Sequence, residues 1–572
     1  VSQRAGVLEK EVKVCFTLSC GEAVKPEAEY AVTTCLAALG FFFTELEAGE
    51  QGVILSYGEL SRESLCRIAN GQWVVRIEHD PDSFVSMVER SAVPRIEGMS
   101  VNPAGLPILG RLSGKSSGAI LKEAQRSDGA RFPLVSEERT GKGGVLVIHF
   151  DILAGVFFFL SRIEEAIDGA VDSFGRFPQE ELLCAREGFQ GEPVVNGYME
   201  ILKETLLQAA ARSGICLVRK LEWPGGERLC VSLTHDVDRL ARWRGRSILK
   251  GLLAGRARCV IRSLIDVKRD PWWNLESIQA AERAAGVRSS FFFFADRGGS
   301  RGGRYDVLAL KDELEDLVRG GWEIGLHGSY DSMVDLQRLE GERERLGQAL
   351  SGQVTGVRQH YLRIKVPLSV GFMEDTGFGY DASLGFSDRV GFRASTCLPF
   401  RLYDFANRRP FRLLEIPITV MDGALPGTPD ATREVMKRLL GTVSGKSGLF
   451  SLIWHQRSFT EEDFPGLGSL YGWFLEEAGN HHPYFATHED VFNWWTKRET
   501  LGLRDTEKRG RRITASFNTP SDLPSMTLLF SRPIRLREVR GAVEEKQEDP
   551  RRLRLQEMAR PDFSLIFEEN DV

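Results

Sequence analysis

The sequence predicts an α/β protein whose central unit is a barrel of βα repeats, preceded by a separate α/β or α+β domain. Two changes of texture carry this expectation. From about residue 223 onward, short apolar segments alternate with amphipathic stretches, the mark of βα units around a parallel sheet or barrel. Before it, short apolar runs mix with helical periodicity, as in Tyr198 to Ala211, where apolar residues recur at spacings of three and four. Between them lies the turn-rich WPGGER at 223–228. A chain of 572 residues also exceeds what one core usually supports. The expected division is 1–222, 223–500 and a charged C-terminal extension over 501–572.

Eight segments read as barrel strands. They are CVSLTHD (230–236), SSFFFFA (289–295), WEIGLHG (322–328), VTGVRQHY (354–361), FGYDASL (378–384), LLEIPITVM (413–421), GLFSLIWHQ (448–456) and the shorter HPYFATH (482–488). Helices are expected between them at Leu275–Ala285, Leu308–Arg319 and Leu336–Leu350, the last laced with Glu and Arg in the manner of a solvated face. Beyond Lys497 the pattern weakens. RDTEKRGRR and EEKQEDPRRLR read as solvated linker around two strands near 512–540.

Composition narrows the function. A net charge of -6 from 74 basic and 80 acidic residues leaves no basic stripe for a phosphate backbone, so nucleic acid is not expected as a partner. The nine cysteines are odd in number and form no CxxC pair, which argues against a disulfide framework and a thiolate zinc site. The first twenty residues lack the basic start and apolar run of a secretory leader, so a cytoplasmic location is expected. The most apolar stretch, 144–160, contains His149 and Asp151 and falls short of the roughly 20 residues a membrane span needs, so it reads as a buried strand and helix, and no integral membrane segment is expected.

The residues suited to chemistry fall at the carboxyl ends of the expected strands, where barrels of this kind place their active sites. In THDVD the strand period puts Asp236 and Asp238 on one side, so one could hold a metal while the other takes protons. In LHGSYDS, His327 and Asp331 are four apart and share a face if a helical turn begins there, and imidazole plus carboxylate is a reasonable metal pair. GVRQHY adds Arg358, His360 and Tyr361, and LIWHQR adds His455. Four of the nine histidines (235, 327, 360 and 455) thus stand at strand ends.

In this order the segments resemble the successive motifs of the NodB-like polysaccharide deacetylases, carbohydrate esterase family four. The resemblance implies a distorted (β/α)7-type barrel and a metal-dependent hydrolase that removes N-acetyl groups from an acetylated polysaccharide or glycan precursor. It implies one divalent ion, zinc first, with manganese, iron or cobalt as alternatives. Asp236 then stands for the catalytic base, Arg358 for the group that orients it, His455 for the general acid and Asp381 for the carboxylate of the fourth motif. The backbone N–H of Tyr361 stands for an oxyanion donor, and Asp238, His327 and Asp331 for the metal ligands. The chain departs from the family pattern at three places. A valine separates the two aspartates, Asp331 replaces the second histidine of HxxxH, and Gln359 and His360 replace both prolines of RPPY. His360 is therefore a competitor for the third ligand. The rival functions are an inactive carbohydrate-binding or assembly protein on the same barrel, and an O-deacetylase.

Within the first 222 residues, HFDILAGVFFFLSRIEEAIDGAVDSFGRFP (149–178) resembles the accessory domain that precedes a bacterial subgroup of these deacetylases. Phe157–Leu160 is expected as core, and Arg162, Glu164 and Glu165 as an ion-paired helix face rather than a site.

Overall fold

The computed structural model describes residues 12–47, 50–81, 87, 100–101, 106–109, 116, 118–126, 129–167, 169–296, 305–519, 523–544, 549–558 and 562–569. The segment 1–11, where a leader was sought, and 545–548 of EEKQEDPRRLR lie outside these residues.

The first region is built on a nine-stranded sheet. Five strands (Phe43–Glu45, Val14–Ser19, Val53–Gly58, Trp73–Ile77, Gly143–Ile148) are parallel neighbours, and Arg131–Thr140, Ala119–Arg126, Ser100–Val101 and Pro107–Ile108 continue the sheet antiparallel. The apolar stretch at 144–160 becomes the strand Gly143–Ile148 and the helix Ile152–Ser161, whose residues are all buried. Asp151 starts that helix by accepting the Ala154 N–H, an N-cap bond that satisfies an otherwise orphaned donor. The expected face of Arg162, Glu164 and Glu165 is ion-paired but buried: Arg162 contacts both carboxylates, and Glu165 reaches Arg393 at 2.8 Å.

The second region is a curled, all-parallel sheet. Its strands are β1 (Cys230–Val237), β2 (Ser290–Phe293), β3 (Glu323–Gly328), β4 (Gly356–Gln359), β5 (Tyr380–Asp381), β6 (Leu414–Glu415), β7 (Val420–Met421), β8 (Leu449–Ile453) and β9 (Tyr484–Phe485). The order is β6-β5-β4-β3-β2-β1-β8-β7, with β9 also on β1. The segment 414–421 bridges the two ends of this path. Its first half pairs with β5 and its second half with β8, and Pro417, which has no N–H to give a ladder, stands at the crossover. The intervening helices form where expected, at Leu275–Ala285 and Leu336–Leu350, while Leu308–Arg319 divides into a 3₁₀ turn and the helix Lys311–Arg319. Asp335 caps the second of these by accepting the Arg338 N–H.

The tail corrects the expectation of a solvated extension. The described residues between 502 and 569 form seven strands, which with Val218–Lys220 make two four-stranded antiparallel sheets. The polar composition misled because these strands are two-faced: along Arg512–Asn518 the alternate residues Ile513, Ala515 and Phe517 are buried, and Arg512, Thr514, Ser516 and Asn518 occupy the other side. Phe530 and Phe567 join the sheets at 5.1 Å, and Phe517 meets Phe42 of the first region at 5.3 Å. Val218–Lys220, just before the barrel, pairs with Leu528–Phe530 beyond it.

Candidate metal centre and active site

All the chemistry-bearing side chains that converge do so at the carboxyl ends of the parallel strands. On β1 the strand period sends Thr234 and Asp236 one way and His235 the other. His235 is fully buried between the Trp454 carbonyl (2.6 Å) and Glu282 (2.9 Å), away from the cleft. Arg358 on β4 is the organiser of the inner face. Its guanidinium donates to Asp236 Oδ1 (2.8 Å), Thr234 Oγ1 (2.7 Å) and the Ala382 carbonyl (2.9 Å), and it stacks over Phe292 at 4.3 Å. Burial alone would raise the pKa of Asp236; Arg358 first, then His327 and His455, holds it below the ordinary carboxylate value.

Next to this pair, Asp238, His327 and His360 bring one ligand atom each to within 4.8 Å of one another. His327 Nδ1 lies 3.0 Å from the Arg358 carbonyl, to which only an N–H can be useful, so the lone pair is on Nε2, which faces the cluster. That Nε2 is 3.1 Å from His360 Nδ1 and 3.4 Å from Asp238 Oδ1, and His360 Nδ1 is 3.5 Å from the same oxygen. Asp238 Oδ1 is buried and takes no hydrogen bond among the described residues. Burial depresses the His360 pKa to about 3, so its ring is neutral, the form that binds a cation. Three potential ligand atoms gathered this closely could hold a divalent cation, and a carboxylate with two imidazoles is a donor set suited to zinc.

Asp331, expected as the third ligand, is not in this cluster. Its side chain is half exposed and pairs with Arg338 at 3.6 Å. The spacing argument assumed a helical turn beginning at His327, but His327 is still on the strand β3, and the helical turn begins only at Ser332–Val334, with Asp331 as its N-cap. The Ser332 hydroxyl donates to the Ser329 carbonyl and the Ser329 N–H is taken by Glu342, which leaves Asp331 outside. His360, just past the end of β4, is the third residue of the cluster instead.

His455, two residues past β8, stands on the other side of Asp238, with Nε2 3.8 Å from Asp238 Oδ2. Its partner is Asp422, which the sequence reading missed. Asp422 accepts from His455 Nδ1 (2.7 Å), from the His455 N–H (2.9 Å) and from the Ser458 hydroxyl (2.5 Å). Burial would depress the His455 pKa, but the Asp422 carboxylate, through charge and hydrogen bond, lifts it to about 9. Asp381, expected as the carboxylate of the fourth motif, is fully buried beside Glu415, takes the Ser383 hydroxyl at 2.5 Å and does not line the cleft. Burial lifts its pKa to about 6.

These groups open into a cleft of about 370 Å³. Asp236, Asp238, His360, Asp422, His455 and Arg457 are among the residues that line it. Tyr361 lies on the rim in a left-handed conformation (φ 60°, ψ 20°), uncommon for a bulky residue. It is braced by residues the sequence reading placed outside the barrel. Arg176 donates to the Tyr361 carbonyl (2.7 Å) and to the Ser387 hydroxyl (2.9 Å), and Phe174 packs on the Tyr361 ring at 4.9 Å. No signal within the barrel sequence announces this contribution from the preceding region.

Residues 91–211 match the model of a family of unknown function, DUF7033. No curated protein matches the chain. Among solved structures, similarity extends to a protein assigned as a polysaccharide deacetylase from Mycobacterium smegmatis, with 17% identity, 51% of this chain and 97% of that one covered, and a TM-score of 0.36. A peptidoglycan deacetylase from Bacillus subtilis is 11% identical over 47% of this chain and 93% of its own, with a TM-score of 0.25. A pseudoenzyme of the CE4 family from Bacillus anthracis is 14% identical over 46% and 66%, with a TM-score of 0.26. These likenesses are too distant to assign an activity.

Proposed function

We propose that the chain is a metal-dependent deacetylase of the NodB-like kind, hydrolysing N-acetyl groups on an acetylated carbohydrate. One observation carries the reading: a donor triad of Asp238, His327 and His360 lies between a carboxylate held ionised by arginine and a histidine held protonated by aspartate. Amide hydrolysis needs those three services in one place.

Asp238, His327 and His360 would hold a divalent cation, which when bound would supply Lewis-acid polarisation of the acetamide carbonyl and a more acidic water. Asp236, kept ionised by Arg358, takes the proton from the attacking water. His455 donates a proton to the departing amine, and Asp422 keeps it charged at neutral pH and fixes its Nδ1–H, so that Nε2 faces the cleft. The N–H of Tyr361 is the candidate oxyanion donor from the protein. Phe174 and Tyr361 offer aromatic surface of the sort sugar rings pack against.

Acetate release from acetylated chitooligosaccharides and from peptidoglycan fragments, measured on protein carrying a known amount of metal, tests the proposal. Asp236→Asn should keep the metal and lower turnover by roughly 10²–10⁴, the usual contribution of a positioned base. Metal-loaded protein that binds these glycans without releasing acetate would replace the deacetylase with a binding protein.

A further inference from the structure

Between β1 and the helix Leu275–Ala285 the chain inserts a helical hairpin, Arg246–Leu253 and Ala257–Ile265, turned at Gly255 (φ 76°). Amphipathic helices ordinarily bury their apolar stripe. Here the stripe faces solvent. Leu249, Leu252 and Leu253 on the first helix and Ile261, Leu264 and Ile265 on the second repeat the same i, i+3, i+4 spacing, and all six are exposed, Leu253 by 80% and Ile265 by 81%. The inner face consists of Gly251 and Val260 against the indole of Trp243, which approaches so closely that a Cβ on Gly251 would lie 2.4 Å from it. The hairpin is thus seated on the barrel by its small residues and presents its large ones outward.

Its charge is equally out of character. From Arg239 to Arg269 the chain carries ten basic residues and one acidic residue, Asp266, in a protein whose net charge is -6. Arginines and lysines therefore flank an aliphatic ridge on both helices. We infer that this hairpin docks on an anionic lipid surface, the ridge entering the acyl boundary and the basic residues meeting the headgroups. Helices with a strong basic face and an opposed Leu/Ile face lie in the membrane interface in this way. No helix of the described residues is long and apolar enough to cross a membrane, so the contact is peripheral. A second copy seated on the same face would bring like charges such as Arg246, Lys250, Arg258 and Arg262 against one another across a two-fold contact. A nucleic acid would meet phosphates with an aliphatic ridge that offers no stacking planes.

The hairpin sits beside the cleft. Arg242 at its base binds Glu462 at 2.8 Å and also Asp463, just before Phe464 and Leu467, which line the cleft wall, and Gln456, next to His455, donates to the Trp272 carbonyl at 3.0 Å. Docking would hold the cleft mouth close to the lipid surface. The inference stands on the exposed face alone, independently of the deacetylase reading.

Flotation of the full chain with phosphatidylcholine vesicles, with and without phosphatidylglycerol, tests it. Binding is expected only to the anionic vesicles and should weaken at high salt. Leu253→Ser with Ile265→Ser, and separately Arg258→Glu with Arg262→Glu, should each lower the vesicle-bound fraction roughly ten-fold or more with an unchanged melting temperature, because these side chains are exposed. Equal binding to both vesicle types, no binding to either, or full binding by both variants would overturn the proposal. So would light scattering that shows a dimer which the Leu253/Ile265 variant converts to a monomer.

Discussion

Asp422→Asn isolates the least anticipated part of the site. The substitution keeps the shape of a buried side chain but removes the negative charge 2.7 Å from His455 Nδ1. His455 is lifted from its ordinary 6.5 to about 9 by that carboxylate against the opposing effect of burial. Without it the pKa returns to 6.5 or below. At pH 8 a group titrating near 9 is about 90% protonated and one near 6.5 about 3%, so the variant should hold about thirty-fold less of the acid form. The pH–rate profile for acetate release should therefore lose its activity at lower pH than wild type, with the deficit shrinking below pH 6 where both proteins are protonated. The same pair stabilises the fold with matching sign. Its contribution from His455 is complete below the unfolded pKa of about 6.5 and lost as pH rises through about 9, so the difference in melting temperature between the two proteins should narrow above pH 9. An alkaline limb that stays in place in Asp422→Asn, or a deficit equal at pH 6 and pH 8, would show that Asp422 does not set the charge of His455.

Three further outcomes follow from the geometry. His360→Ala should weaken divalent-metal affinity by at least about ten-fold in calorimetric titration of stripped protein, whereas Asp331→Ala should leave it unchanged; the reverse ranking would restore the ligand set that the spacing implied. Arg358→Ala should cost about 3–5 kcal/mol in urea denaturation, since it leaves Asp236 buried with its charge unpaired, and a loss under about 1 kcal/mol would contradict the role assigned to it. Arg176→Ala frees the Tyr361 carbonyl and the Ser387 hydroxyl at the cleft rim, so KM should rise more than kcat falls; a pure loss of kcat would place Arg176 in the chemistry instead.

The sequence made the strand ends visible because each motif closes an apolar run, and a strand has a fixed period of two. Asp236, Asp238 and His327 could be placed on that ground alone. Asp331 lies apart from the cluster because the strand runs on through Gly328 and the helical turn starts only at Ser332, so the spacing of four from His327 is not a helical one. Asp422 was hidden because its partner lies 33 residues further along the chain. Only the passage of 414–421 from the β5 side to the β8 side brings the Met-Asp-Gly turn beside His455. The tail was misread for another reason: strands with one polar and one apolar face look like linker when counted by composition.

The buried bridge from Glu165 to Arg393 means that the barrel and the region before it are one mechanical object. Arg393 is fully enclosed, and both oxygens of Glu165 answer its guanidinium. A chain shortened to begin at Trp223 would strand that cation in a dry interior and strip Phe174 and Arg176 from the cleft rim. The boundary that the WPGGER turn advertises is thus a poor place to cut. Evolutionary shuffling of this barrel away from its neighbour would have to rebuild part of the cleft rim at the same time.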